Sequence, residues 1–312
     1  MKVLKVLIKW VLLLTLTLTL TLPIAALSGD ISGDGSADDS VDDFTDKTSL
    51  IEWFVTDFPP FTIVTGPQKD QGYGDVLYSR LKSKLGNYRH QRHIVTQGHG
   101  QNAIKHHKNA CAHDLLKNEK RSKYMIFSKP LYRLLPIGAL SLARNDISPL
   151  LNQSGHFELS RLVDNQQLGL GVVTKRSYGQ MIDRQLDELA KTNANITRTG
   201  AGMSVSLYNM LKLNRIDVIL GYALEMNYMA TTTITISTKP KKQLKVTYSP
   251  ISNQPSLLTG HVGCHRGAFG QQVIDTINAR IDRADDAMIS KSYQQWLPKD
   301  AQTLYLSLLE GL

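Results

Sequence analysis

Leu50-Ile51-Glu52-Trp53-Phe54-Val55-Thr56 runs into Asp57-Phe58-Pro59-Pro60 and then Phe61-Thr62-Ile63-Val64. An apolar run of this length, rich in aromatic and β-branched residues, reads as a buried strand, and the proline pair forces a turn before the chain resumes. Gly72-Tyr73-Gly74 then leads to Asp75, a residue type suited to capping a helix, and 76–85 carries helical spacing. The alternation continues, with strands expected at 93–95, 125–128, 135–142, 168–173, 217–220, 245–248 and 261–264. Helices are expected at 101–108, 178–190, 204–213, 271–281 and 289–296. Short apolar runs alternating with amphipathic stretches mark an α/β domain with a largely parallel sheet. Residues 145–152 read as a crossover and 239–242 as a basic, Pro-containing hinge.

The chain has 312 residues, 42% of them hydrophobic and 20% charged, enough for one or two packed domains and unlike a disordered or polytopic membrane protein. Its net charge of +9 averages three unlike segments. Residues 1–28 hold Lys2, Lys5 and Lys9 and no acid, 29–46 hold seven Asp and no base, and 47–312 hold 33 bases against 20 acids, or +13. In the first segment the lysines precede an uncharged run of Val, Leu and Thr, then Pro23 and Ala26-Leu27-Ser28, the pattern of a secretory signal peptide cut after Ser28. The alternative is an uncut anchor, because 10–27 is close to the shortest membrane span. Residues 29–47, dominated by Gly, Ser and Asp, read as an acidic disordered linker. Export makes Cys111 and Cys264 candidates for a disulfide, with two free buried thiols as the alternative.

Four segments, in order from about 48 to 300, resemble the bacterial extracellular solute-binding proteins of family 3, the periplasmic components of polar amino-acid ABC transporters. They are Asp57-Phe58-Pro59-Pro60-Phe61 with Gly72 to Asp75 behind it; Arg121 with Phe127-Ser128-Lys129-Pro130-Leu131-Tyr132; Leu213-Asn214-Arg215-Ile216-Asp217-Val218-Ile219-Leu220; and 270–281 with Tyr293 to Trp296. The resemblance implies a type II periplasmic-binding-protein fold, two α/β lobes that hinge shut on a ligand held at strand carboxyl ends. Lobe one would be 48–143 plus 242–300, lobe two 144–241, and 301–312 a C-terminal tail.

The resemblance also nominates residues. Arg121 stands where the family grips a ligand carboxylate, a task suited to a guanidinium fork, though Lys117, Lys120 and Lys123 around it also describe a solvated basic stretch. Phe58 and Phe61 would wall the cleft or pack the core, and Asp57 would offer a negative group. Ser177 and Tyr178 open a helix whose amides can hold an anion, or Ser177 caps it. Tyr222 occupies the position where amino-acid binders carry an acid for the ligand ammonium, a departure that Glu225 would have to offset.

Six histidines, His90, His93, His99, His106, His107 and His113, lie within 24 residues, with Cys111 among them. Zinc or copper chemistry is one reading, but no HExxH or paired CxxC occurs, and surface histidines on a basic lobe is the other. GxSxG, P-loop and Rossmann glycine signatures are missing from the sequence, so no enzyme and no cofactor are expected. The expected protein is a monomeric periplasmic solute-binding protein for a small carboxylate-bearing, amino-acid-like solute, serving an inner-membrane ABC permease or a sensor, with no nucleic-acid partner. A non-transport envelope protein on the same fold, regulatory or metal-binding, is the alternative.

Overall fold

A computed structural model describes residues 49–174, 176–199, 203–235 and 244–311. The expected signal peptide, acidic linker and 239–242 hinge lie outside the described residues.

The opening strand β1 (Leu50–Val55) buries Ile51, Trp53 and Val55 on one face and Phe54 on the other. Ile51, Trp53 and Val55 join the main core with Leu77 and Leu81 of α1 (Tyr73–Lys84), while Phe54 joins a second cluster with Ala103 and Ile104 of α2 (Gln97–His106). Around β1 the first sheet runs β2 (Arg89–Ile94), β1, β3 (Ala110–Leu116), β11 (Leu258–His265) and β4 (Met125–Phe127), with β5 (Tyr132–Leu134) also pairing with β11. β2 and β3 lie parallel to β1, and β11 returns antiparallel. Cys111 and Cys264 face each other across β3 and β11 with Cα atoms 4.0 Å apart and are disulfide-bonded. The free-thiol alternative therefore falls.

Helix α1 starts earlier than expected. Gly72 is its N-cap and Asp75 the third helical residue, whose buried Oδ2 accepts from the backbone N–H of Gly72 (3.1 Å) and of Ile63 (2.9 Å). The helix start presses against the Pro59-Pro60-Phe61 turn, whose Pro59–Pro60 peptide is cis. A Cβ on Gly72 would lie 2.2 Å from the Phe61 carbonyl oxygen, so only glycine allows this approach. α2 likewise starts at Gln97, where Thr96 accepts from the His99 amide at 3.4 Å.

The second sheet runs β10 (Val246–Pro250), β6 (Gly138–Leu142), β9 (Val218–Gly221), β7 (Leu170–Val173) and β8 (Ile196–Thr199). β7 is parallel to both β8 and β9, and β6 is antiparallel to β9 and β10. β6 and β10 thus both belong to this sheet, on its antiparallel side. Helices α4 (Gln180–Leu189), α5 (Met203–Lys212) and α6 (Ala223–Thr235) belong to this half.

After β11 come α7 (Ala268–Arg280) and α8 (Arg283–Gln294), followed by α9 (Lys299–Glu310). The stretch expected as a tail is this last helix. Ala301 and Tyr305, one turn apart, are buried; the Tyr305 hydroxyl donates to the Arg133 carbonyl (3.0 Å), and Asp300 accepts from the Tyr248 amide (2.9 Å). The first bond reaches β5 and the second β10, so α9 straps the two sheets together.

Candidate functional site

Parallel strands end on one side, and their following loops gather there. β7 and β9 are neighbours, so the loop after β7, with Arg176, Ser177 and Tyr178, meets the loop after β9, with Tyr222 and the start of α6, including Glu225. From the first sheet, the loop after β1 brings Phe58, and the loop after β3 leads to Arg121 on the one-turn helix α3 (Glu119–Ser122).

Arg176 is the centre of this group. Its Nη1 and Nη2 donate to Glu225 Oε2 (3.0 Å) and Oε1 (2.5 Å), a two-pronged ion pair whose acid is almost fully buried. The guanidinium carbon lies 5.8 Å from the Phe58 ring centroid, 5.6 Å from Tyr178 and 5.5 Å from Tyr222. Phe58 and Tyr222 meet edge to face at 6.4 Å, one from each half of the fold. Burial works against the Arg176 charge, but Glu225 and the two tyrosines more than offset it, so its pKa stands above the ordinary arginine range. Burial raises the Tyr222 hydroxyl, Arg176 pulls it back down, Glu225 raises it, and the Arg121 charge lowers it.

The expected site residues divide around this cage. Phe58, Tyr178 and Tyr222 form its aromatic faces. Phe61 is buried against Tyr73, His113 and Tyr132, so the core-packing alternative describes it. Asp57 is exposed, and its Oδ1 accepts from the Val64 amide (3.4 Å), bridging the ends of its own turn. Arg121 donates through Nη1 to the Leu116 carbonyl (2.7 Å). Ser177 donates to Asp183 Oδ2 (2.6 Å), and Asp183 Oδ1 accepts from the Tyr178 amide (2.8 Å). α4 begins only at Gln180, so an internal carboxylate already serves the amides that the sequence offered to an anion. Glu225, the acid that had to offset Tyr222, is engaged by Arg176.

Arg176 is the residue the sequence reading missed. Its signal was a base at the carboxyl end of a buried parallel strand, with an acid just past the end of the neighbouring strand. A separate cavity of about 280 Å³ is lined by Gln68, Gln71, Gln295 and Trp296, none of them an expected site residue. Beside it the Trp296 carbonyl accepts from Asn227 Nδ2 (2.9 Å).

The histidines are spread over different tasks. His90 Nδ1 accepts from Trp53 Nε1 (3.0 Å), His93 pairs with Glu52 (3.2 Å), and His113 is wholly buried among Trp53, Phe61 and Tyr78. Among the described residues, no group of three or more His, Cys, Asp or Glu is placed to hold a metal ion.

No family model matches the chain, and no curated protein matches it. Solved structures do. A probable amino-acid ABC transporter extracellular-binding protein from Bacillus subtilis superposes with TM-score 0.57 at 18% identity over 80% of this chain and 99% of its own. A reconstructed ancestral cationic amino-acid solute-binding protein does so with TM-score 0.56 at 14% identity over 81% and 97%. The VFT2 domain of BvgS from Bordetella pertussis gives TM-score 0.53 at 12% identity over 79% and 93%. The two sheets, their crossovers and these likenesses establish that the chain has the two-lobed, mixed α/β type II periplasmic-binding-protein fold.

Proposed function

We propose that this chain is a periplasmic solute-binding protein of extracellular family 3 type, exported by a cleaved signal peptide, that captures a small carboxylate-bearing solute and hands it to an inner-membrane ABC permease or a sensor. The observation that carries the reading is the meeting of Phe58 from one lobe with Tyr222 from the other at 6.4 Å. A ligand there touches both lobes only when they are together, so its binding energy favours that arrangement. The guanidinium of Arg121 suits the carboxylate end. The protein acts as a monomer, and no catalytic role is assigned to it.

A regulatory, non-transport role on the same fold has one observation in its favour, the filling of the aromatic cage by Arg176. The test is a thermal-shift panel of amino acids, small carboxylates, oligopeptides and sugars on the purified protein. Ligand that binds only the folded state stabilises it by about 2.7 kcal/mol at a hundred times Kd. A saturable shift with one carboxylate class supports the solute-binding reading; a flat panel rejects it in favour of the regulatory one.

A further inference from the structure

The surroundings of Arg176 are those of a bound cation. One carboxylate takes both ends of the guanidinium, three aromatic rings stand within 5.8 Å of its carbon, and the side chain is 18% exposed. Aromatic faces attract cations through their quadrupole, most strongly when water is excluded, and a planar guanidinium adds stacking and a fork that matches a carboxylate. Every one of these contacts is made to the head group, which the aliphatic stem connects to the loop after β7. The rings come from both lobes, Phe58 from one and Tyr178 and Tyr222 from the other. Further links across the same division run from Asn227 and Tyr228 of α6 to Trp296.

We infer that the interlobe cage is a guanidinium-binding site whose resident ligand is the chain's own Arg176, a tethered occupant that holds the lobes together and shuts the cage to free cations. A tethered group competes at an effective concentration in the millimolar range or above, so a cationic solute must outbid it, while an anionic solute near Arg121 need not. The inference holds whether or not the protein delivers a solute.

An ordinary buried ion pair is the competing account, and chemical rescue separates the two. Arg176→Ala empties the cage and removes the ion pair to Glu225; Arg176→Met removes the charge but keeps an apolar stem in the space. With Arg176→Ala, methylguanidinium chloride at low millimolar concentration is expected to raise Tm by several degrees, saturably, and to return a radius of gyration enlarged by lobe opening to the wild-type value. Tetramethylammonium and sodium chloride at equal ionic strength are expected to do neither, and wild type and Arg176→Met are expected not to respond. If Arg176→Ala does not fold unaided, its refolding yield from urea with and without methylguanidinium reads the same dependence. Equal responses to all three salts, or no response of the alanine variant in either assay, overturns the inference. The solute panel on wild type fails or succeeds separately.

Discussion

Arg92 of β2 donates through Nη2 to Asp75 Oδ1 at 2.6 Å, joining an edge strand to the start of α1 through a carboxylate that is 3% exposed. The second oxygen of Asp75 holds the Gly72 and Ile63 amides, and the Arg92 guanidinium lies 5.1 Å from the Tyr78 ring. One acid therefore fixes the helix start, the turn carrying Phe58 and the strand beside β1. Asp75→Ala leaves two amides and a half-buried guanidinium without it, and breaking such a pair costs about 3–5 kcal/mol. Urea unfolding should show a lowered midpoint at constant slope, the product of the two falling by that free energy, with Asp75→Asn in between. A loss under about 1 kcal/mol would mean that water, or Asp70, which already accepts from Arg92 Nη1 at 3.3 Å, replaces the lost acceptor.

The Cys111–Cys264 bond closes a loop across 153 residues of sequence. In the chain-entropy account a loop this long is worth about 5 kcal/mol, and native cross-links of small secreted domains measure about 2–5. The double substitution Cys111→Ala and Cys264→Ala should lower stability within that range while keeping the fold. Mass spectrometry after alkylation should find no modified thiol until the protein is reduced.

The elements that were legible in the sequence are those whose burial is written as apolarity. β7 and β9 are continuous apolar runs buried at every position, and β1 is apolar except at Glu52, so their strand character is visible in the residues alone. That of β3 is not, because Ala110-Cys111-Ala112-His113-Asp114 looks polar and its burial comes from the disulfide and a ring of aromatics. α6 was hidden by a run of threonines with poor helix propensity. At the site, Phe58, Tyr178 and Tyr222 are nominated through the family resemblance. Arg176 is not, since its partner Glu225 is 49 residues away and only the pairing of β7 with β9 brings them together.

His113 gives the fold a definite acid sensitivity. Its ring is enclosed, with neither nitrogen hydrogen-bonded in good geometry to a described residue, and burial followed by the Arg92 charge lowers its pKa to about 3. The unfolded chain binds a proton there near pH 6.5, which the folded chain refuses until about pH 3. Stability is therefore unaffected above pH 6.5 and falls by about 1.4 kcal/mol per unit as pH drops through that window. His113→Leu should flatten this slope by one proton between pH 6 and 4 in urea titrations. An unchanged slope would assign the proton uptake to other groups.

Arg121 is the residue on which the carboxylate reading turns. Its side chain gives one hydrogen bond, to the Leu116 carbonyl, on a short surface helix, so Arg121→Ala should cost the unliganded protein about 1 kcal/mol or less. Truncating one partner of a charge-assisted contact to a bound carboxylate costs about 2–5 kcal/mol, which is a loss of roughly thirty-fold or more in affinity. Calorimetry with the solute found in the panel should therefore show binding weakened at least that far while Tm without solute barely moves. Phe58→Ala, which removes an aromatic face shared with Arg176, should weaken binding and lower intrinsic Tm together. The split between the two variants is the informative outcome: if Arg121→Ala also destabilises the empty protein strongly, its guanidinium holds the β3–α3 turn and the carboxylate is gripped elsewhere.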